Sequence, residues 1–152
     1  MTKRAAFDGP LGRLIVTEEG GRIARLEWSG AEVCENGSDL LAAACRQLGE
    51  YFAGARRAFD LPIAFRPGLQ GDVMRAMCAI PFGETRTYGD LARDLGAPAQ
   101  AIGQACGGNP VPVIVPCHRI LGAAGLGGFS APGGVETKVA LLKHEGAASL
   151  LI

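Results

Sequence analysis

A chain of 152 residues that is 48% apolar can bury one core or two small ones, which excludes a disordered segment. Its 15 Lys and Arg balance 15 Asp and Glu, ten of each sign in residues 1–80 and five of each in residues 81–152, which excludes a broad basic footprint. The start is short, mixed and charged, unlike a secretory signal, and no apolar run approaches the roughly 18 residues of a membrane helix, so a cytoplasmic chain with reduced thiols is expected.

In chain order, Leu14-Ile15-Val16, the turn Glu18-Glu19-Gly20-Gly21 and the partly alternating stretch from Ile23 to Trp28 predict a hairpin over residues 12–28. Ser38 or Asp39 caps a helix whose apolar positions Leu40, Leu41, Ala44, Leu48, Tyr51 and Phe52 recur at helical spacing, and Gly54 ends it. Residues 59–63 are extended, with Pro62 limiting them to an edge or a strand end. Arg66-Pro67-Gly68 marks a boundary between domains 1–66 and 67–152. Beyond it, Val73, Met74, Met77 and Ile80 predict a helix over residues 69–80, stopped by Pro81. Thr87, with Asp90 three residues on, caps a helix that runs to Leu95. Gly96 breaks it, and residues 99–106 form another. Two short helices around a glycine-containing turn make a helix-turn-helix pattern. The fold class is α+β: a small N-terminal α/β domain, then a mainly helical one.

Five cysteines, at 34, 45, 78, 106 and 117, form an odd set without a CxxC pair, and no zinc spacing fits them with His118 or His144, so no metal is expected. Most read as small core residues. Cys117 needs a separate argument. Gly107-Gly108-Asn109-Pro110 ends the second helix, and Val111-Pro112-Val113-Ile114-Val115 is too apolar for a solvent loop. This segment carries Pro116-Cys117-His118-Arg119 to a partly buried place, along a path that its prolines restrict. A thiol with a pKa near 8.5 is only about 3% thiolate at pH 7, and burial lowers that fraction further. A reactive Cys117 therefore needs a base or cation, for which His118 and Arg119 are the local candidates. Adjacent side chains of an extended chain point to opposite faces, so Cys117 and His118 would need a bridging water or a local turn. On the Cys-His pair alone, a buried structural cysteine is the better reading.

The wider series changes that balance. Ile80-Pro81-Phe82-Gly83-Glu84, Thr87-Tyr88-Gly89-Asp90-Leu91-Ala92, the run from Gly107 to Ile120, Gly127-Gly128-Phe129-Ser130, and the stretch from Lys138 to Gly146 occur in this order. The series closely resembles the O6-alkylguanine-DNA alkyltransferase (methylated-DNA–protein-cysteine methyltransferase) family, densely over residues 67–146. It is weaker at Gln47-Leu48-Gly49-Glu50-Tyr51-Phe52-Ala53-Gly54. The resemblance implies a ribonuclease H-like N-terminal domain and a monomer that repairs double-stranded DNA without a cofactor. The alkyl group of O6-alkylguanine, and by extension of O4-alkylthymine, passes to Cys117; the thioether is not hydrolysed, so each molecule acts once. On the same resemblance His118 is the base that reaches the thiol through a water, Glu145 the carboxylate that orients it, and Asn109 the hinge between recognition helix and active-site loop. Tyr88 donates a hydrogen bond to the lesion base. Ile120 and Ser130 contact guanine through backbone groups, residues 125–134 close over the flipped base, and Lys138 is a structural lysine of the last helix.

Three features depart from the family pattern. Gln100 stands where the recognition helix usually carries an arginine that fills the space left by the flipped nucleotide; glutamine can hydrogen-bond but lacks the charge and planar fork. The turn Gly96-Ala97-Pro98-Ala99 is about two residues shorter than in typical members, which implies a helix that begins late or irregularly, about 3 Å shorter. Gly107 and Gly108 replace basic contacts. Intact chemistry with weakened duplex binding is the resulting expectation. The alternatives are a non-repairing lesion sensor, which would not need the thiol; a helix-turn-helix regulator, against which the missing basic helix speaks; and a Cys-His hydrolase, for which no oxyanion motif is visible.

Overall fold

A computed structural model describes residues 2–33, 37–122, 126, 127, 129 and 132–147. The chain divides into two compact units, Met1–Ala64 and Phe65–Ile152.

In the first unit, β1 (Thr2–Gly9), β2 (Gly12–Glu19) and β3 (Arg22–Trp28) form an antiparallel sheet in chain order. The β2–β3 hairpin stands where the sequence pattern places it. Gly20 and Gly21 close it with φ of 58° and 74°, as a two-residue hairpin turn with both central residues left-handed requires. β1 has no apolar alternation of its own and is held by its ladder to β2, from Thr2 opposite Glu19 to Gly9 opposite Gly12. α1 (Asp39–Phe52) starts at Ser38, whose Oγ accepts the Leu41 N–H at 3.0 Å, and it buries Leu41, Ala44, Leu48 and Tyr51. The extended segment near Pro62 joins the edge at Ile23. The Pro62 carbonyl accepts the Ile23 N–H at 2.8 Å and Ala64 N–H donates to Ile23 O at 2.9 Å, a pattern that asks no donor of proline.

The second unit contains α2 (Gly68–Cys78), β4 (Arg86–Thr87), α3 (Tyr88–Leu95), α4 (Ala99–Gly107), β5 (Ile120–Leu121) and α5 (Val135–His144). α2 ends at Cys78 rather than at Ile80, because the residue before Pro81 is disfavoured in helical conformation. At the start of α3, Thr87 Oγ1 accepts the Asp90 N–H at 3.0 Å while Asp90 Oδ2 accepts the Thr87 N–H at 2.9 Å, a reciprocal cap. Gly96 ends α3 with φ 64° and ψ 36°, a conformation that costs glycine little. α4 begins at Ala99 without irregularity, so the expected late start is not found. Pro98, at φ −62° and ψ 143°, sets the turn, and its carbonyl already accepts the Ile102 N–H at 3.1 Å. β4 and β5 pair in parallel, Arg86 with Ile120 and Thr87 with Leu121, which brings the chain after Cys117 beside the start of α3. Val73, Met74, Met77, Leu91, Ile102, Val111, Val115, Ile120, Leu141 and Leu142 are buried and form the core of this unit. Burying each such side chain contributes about 1.5–3 kcal/mol. No helix among the described residues is long and apolar enough to cross a membrane.

Candidate active site

Between α4 and Cys117 the backbone makes two very tight turns. Ile114 N–H donates to Pro112 O at 2.8 Å across Val113, which takes φ 71°. A γ-turn centred on a β-branched residue at positive φ is rare, and such strain costs on the order of 1–3 kcal/mol. The buried side chains of Val111, Val113 and Val115 hold it in place. Cys117 N–H then donates to Val115 O at 2.8 Å across Pro116, whose φ of −81° and ψ of 71° make an inverse γ-turn that the proline ring suits. Cys117, His118 and Arg119 follow as a single 3-10 turn. The tetrapeptide is therefore not extended, and of the two expected arrangements, a bridging water or a local turn, the backbone supplies the turn.

Asn109 ties this path together. Its Nδ2 donates to Val115 O at 2.8 Å and its Oδ1 accepts the Val111 N–H at 3.1 Å, so one side chain bridges the start and end of the loop.

His118 is fully buried, with Nε2 2.7 Å from Glu145 Oε2. An ionised carboxylate only accepts, so the neutral ring must carry its proton on Nε2 and leave Nδ1 as a bare lone pair. Nδ1 is buried with no hydrogen-bond partner among the described residues. Burial holds His118 below its ordinary pKa, although the Glu145 hydrogen bond pulls the other way. Glu145 sits at the C-terminal cap of α5 and is gripped from a second side by Arg119: Nε to Oε1 at 2.8 Å and Nη2 to Oε2 at 2.9 Å. Arg119 Nη1 also donates to Ile80 O at 2.6 Å. The guanidinium thus serves the carboxylate, a role that the sequence reading of Arg119 as a local cation for the thiol missed. Its partner lies 26 residues away, and no local spacing signals that.

A cavity of about 260 Å³ opens beside this turn, lined by Tyr88, Gly103, Cys106, Gly107, Asn109, Pro112, Cys117 and Phe129. Burial pushes the Cys117 thiol up, while a hydrogen bond from Asn109 and the Lys138 ammonium pull it down. The net direction is upward, so the resting group is a thiol that needs a base. Burial also raises Tyr88, which keeps its O–H as a donor, and drives Cys106 up to about 12. Lys138 is fully buried rather than on the surface, and its Nζ donates to Ile120 O at 2.6 Å and to Leu126 O. Ile120 is not among the residues that line the cavity; its N–H donates to Cys117 O and its carbonyl accepts from Lys138 Nζ, with a second lone pair still available. Ser130 and Cys34 lie outside the described residues, as does part of the 125–134 loop. Of the other described cysteines, Cys106 is buried as the core reading expects, whereas Cys45 is half-buried and Cys78 is exposed.

Gln100 is exposed near the start of α4, away from the cavity wall. At α3 and the β4 strand before it the basic groups are already engaged: Arg86 of β4 is 2.9 Å from Asp94 and Arg93 of α3 is 2.7 Å from Asp90. This face carries paired charge rather than a basic stripe, in line with the balanced composition.

Comparison with known proteins adds the family. Residues 68–147 match the 6-O-methylguanine DNA methyltransferase DNA binding domain, and residues 3–65 match the ribonuclease-like domain of the same methyltransferases. A methylated-DNA–protein-cysteine methyltransferase of Methanosarcina acetivorans is 38% identical over 154 residues, covering 93% of this chain and 97% of that protein. The enzyme of the same name from Mycolicibacterium paratuberculosis is 47% identical over 108 residues; there the match covers 68% of this chain and 64% of the relative. In structure, the Mycobacterium tuberculosis O6-methylguanine methyltransferase superposes with a TM-score of 0.83 at 35% identity, covering 98% of this chain and 94% of that one. A second structure from that organism, in complex with DNA, matches with a TM-score of 0.81 at 37% identity over 95% of this chain and 93% of that one. The chain belongs to the 6-O-methylguanine DNA methyltransferase family.

Proposed function

We propose that this chain repairs DNA by taking the alkyl group of O6-alkylguanine onto Cys117, once per molecule, as a cytoplasmic monomer. The observation that carries this reading is the pairing of a cavity thiol with a neutral, buried His118 whose bare Nδ1 belongs to the same turn. Nδ1 takes the Cys117 proton through one water, while Glu145 and Arg119 keep the ring in its Nε2–H tautomer. This is an activated nucleophile with an orienting third group. The sulfur attacks the alkyl carbon, a C–S bond forms as the C–O6 bond breaks, and the electron pair leaves on guanine. Tyr88, held protonated, donates to the departing base. The alkyl carbon is inaccessible in a stacked duplex, so the nucleotide must be flipped out at a cost of a few kcal/mol. O4-alkylthymine is a second substrate of the same chemistry.

Incubation with a duplex carrying radiolabelled O6-methylguanine tests the reading: label should move to the protein and should not move to Cys117→Ala. Label on neither, or on both, contradicts it.

Gln100 governs the grip on DNA in this account. Hydrogen bonds to charged groups contribute about 1.5–3 kcal/mol, so Gln100→Arg is expected to tighten binding to the lesion duplex about tenfold at fixed salt. A filter-binding or anisotropy isotherm reads this directly, and an unchanged Kd would show that Gln100 is not the weak point.

A further inference from the structure

Gln70 stands on α2, outside the cavity wall, and no step above uses it. Its Nε2 donates to Gly108 O at 2.6 Å and, at greater length, to Ala105 O at 3.4 Å. Both carbonyls lie at the end of α4, where a helix leaves its last acceptors without partners. The two hydrogens of one amide group can serve both. Gly108 meets this side chain closely: a Cβ there would lie 2.8 Å from Gln70 Nε2. Its φ of −91° and ψ of 7° are open to any residue, so glycine at 108 answers to Gln70 rather than to the backbone.

The Gly108 carbonyl shares a rigid peptide plane with the Asn109 N–H, which donates to Cys106 O at 3.2 Å. That plane is therefore pinned at one end from α2 and at the other from α4. From Asn109, Nδ2 reaches Val115 O at 2.8 Å, and the same oxygen accepts the Cys117 N–H at 2.8 Å. A continuous series of hydrogen bonds links Gln70 to the backbone of the reactive cysteine.

We propose that Gln70 is a positioning residue for alkyl transfer: it fixes the exit of α4 so that Asn109 holds the Cys117 turn against the cavity. The inference rests on the function proposed for Cys117.

Three variants test it. Gln70→Glu keeps the shape and removes both N–H donors. Gln70→Lys returns a donor, with a charge favoured at a helix C-terminus. Gly108→Ala leaves Gln70 in the chain but displaces it, and needs no backbone change if Gln70→Glu fails to fold. The readouts are the first-order transfer rate on saturating lesion duplex, the Kd for that duplex, and alkylation of Cys117 by iodoacetamide without DNA. Gln70→Glu and Gly108→Ala should each slow transfer by about ten- to a hundredfold, as small misplacements of reacting groups do, with Kd unchanged. Alkylation by iodoacetamide should slow with them, Gln70→Lys should recover most of the rate, and the double variant should be no slower than either single. Parental rates in Gln70→Glu, additive losses, or no recovery with Lys would overturn the inference. A parent chain that transfers no label would overturn the proposed function instead, and the iodoacetamide rates would still decide the role of Gln70.

Discussion

Glu145→Gln should bring the second unit close to unfolding. The carboxylate is fully buried and accepts two hydrogen bonds from Arg119 and one from His118 among its contacts. Glutamine has nearly the same shape but no charge, and one end of its amide is a donor that faces other donors. Arg119, with a side chain 7% exposed, would then be an unpaired buried cation. Breaking a buried pair from one side costs about 3–5 kcal/mol, against a total stability of about 5–15 kcal/mol for a typical domain. A urea titration should show the midpoint falling sharply at an unchanged slope. Replacing both partners, Arg119→Met with Glu145→Leu, should destabilise less than Glu145→Gln alone, because no charge is stranded. A midpoint within the scatter of the parent for Glu145→Gln would mean that Arg119 finds solvent, and the site would not be the closed network described above.

Loss of the base should have the second large effect. His118→Asn is expected to slow transfer by about a hundred- to ten-thousandfold, the usual contribution of a positioned base. The pH dependence follows from the same residue. Its pKa is held below the 6.5 of the free side chain, chiefly by burial. Between those two values the unfolded chain binds a proton that the folded chain does not, so stability rises with pH there and is fully present above 6.5. Stability should therefore fall as pH drops below 6.5, and the transfer rate should keep its neutral-pH value through 6.5 and decline only at more acid pH. Single-turnover rates across roughly pH 5 to 8 read the limb. An acid limb centred above 6.5 would mean a His118 exposed to water or charged in the resting state, contrary to the geometry.

Much of the frame was legible because local signals agreed with tertiary ones. Gly20-Gly21 both permits and marks the β2–β3 turn, Ser38 caps α1, and Thr87 with Asp90 forms the box that starts α3. β1 was not legible, since its place depends on pairing with β2 rather than on its own pattern. The positive φ of Val113 could not be read either, because β-branched residues argue against that conformation and only the packed surroundings impose it. For the site, the order of motifs pointed to Cys117, His118 and Glu145, but residue spacing is blind to partners far apart. The grip of Arg119 on Glu145, the burial of Lys138 and the reach of Gln70 to Gly108 all join residues that only the fold brings together. Likewise, Lys138 Nζ donates to the Ile120 carbonyl and the Ile120 N–H to Cys117 O, links that no local spacing announces.

In the proposed reaction Cys117 Sγ receives the alkyl group. Mixing the protein with an excess of O6-methylguanine duplex, digesting it, and weighing the peptide that contains Cys117 tests this most directly. The expected result is one added methyl group per molecule, located on Cys117 and not on Cys106, with transfer stopping once every molecule is modified. Methyl groups on another residue, or lesion loss that continues past one equivalent, would contradict it.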